Sequence, residues 1–148
     1  MRLFCCRGSG PQGGTTVESS MNRFALIAGS LMSALAVAFG AFGAHALAAI
    51  TSTDRLATWE TGARYLMYHG LALLAIGVLS ALLTTTFRWP VRLIFSGTVI
   101  FTGSLFLLVL THTPWLGALT PLGGVLLIGG WTQLAYAIAK LPTLRPTH

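Results

Sequence analysis

Thr61, Tyr65 and His69 stand four residues apart, so on a helix they form one polar stripe, which Gly77 continues on the same face. His45 and His112 are two more of the four histidines in the chain. Imidazoles held among helices can ligate a metal or haem, meet a quinone, or relay protons. Zinc, however, asks for three or four ligands at recognisable spacing, and the sequence contains neither CxxC nor HxxxH. The plainer alternative for His and Tyr on a membrane helix is a polar end held near the headgroups and hydrogen-bonded across helices.

Other catalytic groupings are missing. Asp54 and Glu60 are the only acids outside the first twenty residues, and six positions apart they do not share a helix face. There is no Gly-rich phosphate loop and no nucleophile elbow. Cys5 and Cys6 are adjacent, a spacing that makes no metal site, and a cytoplasmic pair stays reduced. These residues predict no enzyme, no catalytic residue, no metal site and no cofactor. The candidates for any binding site are His45, His69 and Tyr65.

The elements that must position those residues follow from the charges. Nine basic and three acidic residues are all that 148 positions carry, 8% charged against 54% hydrophobic, where soluble domains run near about 25% charged. Between Arg23 and Asp54 lie 30 residues without a charge, between Arg64 and Arg88 another 23, and between Arg92 and Lys140 another 47. A hydrocarbon core of about 30 Å takes roughly 20 helical residues to cross, so the gaps predict one, one and two crossings. The expected fold is an all-α membrane protein, a four-helix transmembrane bundle with spans at about 24–44, 65–86, 90–110 and 121–139. A short interfacial amphipathic helix, with Leu56, Trp59 and Ala63 on its apolar side, is expected before span 2. In it Glu60 and Arg64 can pair at one helical turn. Ser52 and Thr120-Pro121 read as helix starts.

Basic residues divide seven to two between the sides of such a bundle. Arg2, Arg7, Arg23, Arg88, Arg92, Lys140 and Arg145 share one side, and Arg55 and Arg64 the other. Lys and Arg gather on the cytoplasmic side, so both termini are expected inside, with His45, His69 and His112 towards the outer face. The net charge of +6 is then a topology signal; the basic residues form no stripe beside a recognition motif, which argues against nucleic acid. Trp59 and Trp115 are expected in an outer aromatic belt, Trp89 and Trp131 in an inner one. Two rows of small residues in span 1, Ala25/Gly29/Ser33 and Ala36/Gly40/Ala44, predict close helix packing, as do Gly123-Gly124 and Gly129-Gly130 in span 4. Residues 1–20 differ in kind from the rest. They read as a disordered tail, lipidated or redox-active at Cys5-Cys6, or as residues preceding an initiator at Met21, with residues 21–148 as the transmembrane domain.

Four strings occur together in order. They are Gly40-Ala41-Phe42-Gly43-Ala44-His45-Ala46-Leu47; Trp59-Glu60-Thr61-Gly62-Ala63-Arg64-Tyr65 with His69-Gly70-Leu71-Ala72-Leu73; Phe95-Ser96-Gly97 with Gly103-Ser104-Leu105; and Leu119-Thr120-Pro121-Leu122-Gly123-Gly124 with Gly129-Gly130-Trp131. Over about residues 22–139 the chain resembles the YgdD-like bacterial inner-membrane family, domain of unknown function 423, to which eukaryotic transmembrane protein 256 is similar. The resemblance implies a small multi-pass protein of the bacterial inner (plasma) membrane and supplies no reaction. It matches His45 and His69, while His112 stands where the family has a glycine. The expected role is a membrane interaction or accessory protein, meeting the bilayer and a second copy or another membrane protein through Gly/Ala faces. Two alternatives stand beside it: a His-centred site near the outer face for a metal, haem or quinone, and a small solute channel or exporter.

Overall fold

Charge-free stretches of this length fold as helices because, in lipid, every backbone N–H and C=O must be bonded within its own segment. The computed structural model describes residues 16–141, with side chains from Arg23 onward. The expectations for residues 1–20, Cys5 and Cys6 included, fall largely outside those residues. The regular structure is entirely helical: α1 (Thr16–Phe42), which widens into a π-helical turn at Gly43–Leu47, then α2 (Thr53–Leu82), α3 (Arg88–Thr111), a 3₁₀ turn at Pro114–Ala118, and α4 (Thr120–Ala139). Four segments are long and apolar enough to cross a bilayer: Arg23–Leu47, Thr53–Leu82, Arg88–Thr111 and Pro114–Ala139.

The amphipathic stretch before span 2 is not a separate helix. It is the first part of α2, which runs unbroken from Thr53 to Leu82. No proline interrupts it, and Gly62, the one glycine in the stretch before Tyr65, costs only about 1 kcal/mol relative to alanine, too little to stop a packed helix. At 30 residues and about 1.5 Å per residue, α2 is about 45 Å long. It is therefore longer than the hydrocarbon is thick, and Asp54, Arg55, Glu60 and Arg64 all lie in its first twelve residues. Arg64 Nε donates to the backbone carbonyl of Glu60 at 3.4 Å, where the spacing suggested its carboxylate. Ser52 holds the N-cap position of α2 but makes no side-chain cap bond. The Thr120 hydroxyl likewise spends its bond on Ser104 Oγ of α3, 2.8 Å away, and not on capping α4.

The helices pack as an open row. Among the described residues α1 lies along α2, α2 along α3 and α3 along α4, while α1 meets α3 through ring contacts, Phe24 on Phe95 and Phe39 on Phe106, and does not approach α4. Glycine sets the two closest crossings. A Cβ placed on Gly29 of α1 would lie 2.6 Å from the Gly70 carbonyl oxygen and 2.9 Å from the Leu74 backbone nitrogen of α2. On Gly123 of α4 it would lie 2.8 Å from the Cα of Phe101 of α3. The Ala25/Gly29/Ser33 row therefore packs as expected, Ala25 and Gly29 buried and Ser33 half-buried.

The second row does not. Ala36 is buried, but Gly40 has no neighbour near its Cβ position and Ala44 is exposed. Steps of four overshoot a turn of 3.6 residues, so the row winds off the side facing α2. Adjacent residues on a helix point about 100° apart, so only one glycine of each α4 pair, Gly123 and Gly130, meets α3, and Gly124 and Gly129 have nothing near their Cβ positions. Buried hydroxyls satisfy themselves on their own helices: Ser80 on the Ile76 carbonyl, Thr98 on Ile94 and Thr102 on Thr98, at 2.8, 2.6 and 2.8 Å.

Trp59 corrects another expectation. Only 2% exposed, it is a core residue and not part of a headgroup belt. Its Nε1–H donates to the Phe39 carbonyl at 2.7 Å, and its ring packs 4.5 Å from Phe106 and 5.4 Å from Phe42. Gly43 makes the room, since a Cβ there would sit 2.6 Å from Trp59 Cδ1. Trp89, Trp115 and Trp131 remain on the surface. On the side where α2 ends and α3 begins, Arg92 lies over the Trp89 ring and Lys140 over Tyr136, pairings suited to a basic aqueous boundary.

Two residues other than glycine adopt the left-handed backbone conformation, Thr84 after α2 (φ 47°) and His112 after α3 (φ 57°). His112 therefore occupies a helix-ending geometry that favours glycine. Thr84 is β-branched and pays the larger steric penalty. Thr84→Gly is expected to stabilise the protein by about 1 kcal/mol, read as a higher thermal midpoint in detergent; a midpoint that falls contradicts this.

Candidate functional site

Among the described residues His69 is the one histidine that the fold encloses. It sits midway along α2, 7% exposed. Its Nδ1 lies 2.8 Å from the Tyr65 carbonyl oxygen one turn back. A carbonyl can only accept, so Nδ1 carries the proton of that bond, and the neutral ring keeps its lone pair on Nε2. Nε2 has no protein partner, yet among the described residues no fully buried side-chain nitrogen or oxygen lacks one. Nε2 is therefore reachable from outside.

It is reachable through a cleft of about 320 Å³ where α2, α3 and α4 meet. Tyr65 and His69 form one wall. Phe101 of α3 stacks on Tyr65 with ring centres 4.7 Å apart and planes 28° from parallel. Trp131 of α4 faces His69 at 6.3 Å, and Gly124, Leu127 and Ile128 complete the lining. The backbones of α2 and α4 do not approach each other; across the cleft they meet only through side chains such as His69 and Trp131. A second groove, about 450 Å³, lies between α1 and α3 over Leu66; it is lined almost wholly by apolar groups, among them Phe24, Leu35 and Gly103.

Sequence reasoning placed His45, His69 and Tyr65 together, and the structure unites only the last two. His45 is exposed on the π-helical turn that ends the first crossing. His112 is exposed beyond α3, where its Nδ1 meets the Arg55 guanidinium at the start of α2. Thr61, the top of the polar stripe, donates its hydroxyl to the Ala57 carbonyl of its own helix. Among the described residues no three His, Cys, Asp or Glu side chains come close enough to hold a metal. Phe101, Gly124 and Trp131 were missed. They reach His69 from other helices, and spacing within α2 carries no signal of them.

A family model described as "Protein of unknown function (DUF423)" matches residues 39–124. The chain belongs to this family. The matched region contains Trp59 with its Phe39, Phe42 and Phe106 partners, and Tyr65, His69, Phe101 and Gly124 of the cleft; Trp131 lies beyond it. A UPF0382 membrane protein of Staphylococcus aureus is 49% identical over 115 residues, covering 78% of this chain and 94% of that relative. Similar proteins, also called UPF0382 membrane proteins, occur in Staphylococcus saprophyticus (46% over 116 residues, 78% and 97% covered) and Staphylococcus epidermidis (46% over 115 residues, 78% and 94%). No solved structure matches the chain. With its relatives named membrane proteins and its own four crossing-length helices, it is a member of an uncharacterised family of membrane proteins.

Proposed function

We propose that this protein is an interaction or accessory protein of the bacterial plasma membrane, with both termini cytoplasmic and no catalytic activity of its own. The open row of helices carries this reading. Among the described residues α1 and α4 each keep a flank with no neighbouring helix, and apolar side chains such as Val37, Leu122 and Val125 are exposed along them. Gly40 and Gly103 have free space around them, so backbone of a second copy or of another membrane protein can come close. Buried hydroxyls in the centre that bond to their own helices argue against a channel or exporter, which needs a continuous polar path.

Cross-linking in native membranes followed by mild solubilisation tests the interaction. A defined cross-linked product that includes this chain is expected, whereas a monomer under all cross-linking conditions contradicts it. Orientation is tested by reporter fusions. Fusions after Ser52 and Thr113 should report from outside, those at Arg88 and His148 from inside. A cytoplasmic signal at Ser52 overturns the arrangement.

A further inference from the structure

We infer that the cleft around His69 binds a hydroxylated aromatic ring on an apolar tail, the reduced quinol form of a quinone-type lipid in preference to the oxidised form. The inference goes beyond docking on a partner and does not depend on it. Four observations carry it. His69 is more than nine-tenths buried at mid-helix, in a region where an unpartnered polar atom is costly. Its Nδ1–H is committed to the Tyr65 carbonyl, so the atom turned to the cleft is the Nε2 lone pair, an acceptor that calls for a donor. Trp131 and the stacked Tyr65–Phe101 pair line the cleft with aromatic surface suited to a flat ring. The backbones of α2 and α4 do not approach each other across the cleft, which leaves room for a tail.

A quinol brings the hydroxyl that Nε2 needs. A quinone brings only carbonyl oxygens, which would face that lone pair acceptor to acceptor. Binding sites built around a hydroxyl discriminate strongly against the analogue that lacks it. No redox step is involved; the site holds the reduced ring.

The test uses the full chain in lipid nanodiscs, titrated with decylubiquinol kept reduced, with decylubiquinone and with 1-decanol, following tryptophan fluorescence and thermal midpoint. Decylubiquinol is expected to bind saturably and at least tenfold more tightly than either of the others. His69→Phe keeps the ring volume and is expected to erase the preference for the quinol. Gly124→Leu fills the cleft from the opposite helix at a position with free space, and is expected to abolish binding in a folded protein. Gly103→Leu, in the other groove, should change nothing. Equal or tighter binding of the quinone, equal binding of decanol, no saturable binding at all, or binding that survives Gly124→Leu overturns the inference. Should His69→Phe not fold, the quinol-to-quinone ratio and Gly124→Leu decide.

Discussion

Gly29→Val is expected to prevent α1 and α2 from assembling, with a loss of at least about 3 kcal/mol of stability. The first atom of the new side chain would fall 2.6 Å from the Gly70 carbonyl oxygen and 2.9 Å from the Leu74 amide nitrogen. Both are backbone atoms of a continuous helix, and no rotamer change moves them. The helices must separate along their whole contact, which strips cover from Ala25, Ala28 and Leu73 as well. In lipid this contact is held by close packing alone, since no hydrophobic drive pushes apolar helices together. Gly40→Val in the same helix is the control, because nothing lies near its Cβ position. Size-exclusion profiles and thermal unfolding in mild detergent read the difference. A Gly29→Val protein as stable as Gly40→Val would refute the crossing.

Removing the tryptophan of the aromatic cluster should rank next. Trp59→Ala empties a site that is 2% exposed and is expected to cost about 3–5 kcal/mol. Trp59→Phe keeps part of the ring but deletes the donor to the Phe39 carbonyl, for an expected loss of about 1–3 kcal/mol. The cluster joins the end of α1 to α2 and, through Phe106, to α3. Weakening it should therefore lower the unfolding midpoint of the whole protein. If both variants melt like the parent, Trp59 does not hold these helices.

The same residue shows where sequence reading stops. The uncharged stretches were legible because lipid imposes one rule on backbone bonding, and the rule depends on length and polarity alone. The Ala25/Gly29 face was legible because small residues at one-turn spacing mark a side that can approach another helix. Neither pattern states which helix approaches. Trp59 sits in the charged stretch before the second uncharged segment, as a belt residue would, and the space left by Gly43, sixteen positions earlier, lets it turn inward. The helix start at Ser52 was legible, but not that the interfacial helix and span 2 are one helix, because the charges of Glu60 and Arg64 looked like a boundary, although charge at the end of a helix does not break it. Tyr65 and His69 were paired correctly through their shared face. Their partners on α3 and α4, Phe101 and Trp131, come from chain 30 to 60 residues away, beyond anything that spacing within one helix encodes.

A single file of helices has two rims, much as a sheet has two edge strands. Another transmembrane segment can join at α1 or at α4 without breaking a contact already made, whereas entry between α2 and α3 would split the protein. Growth is thus permitted sideways, in the plane of the bilayer, and only at the ends.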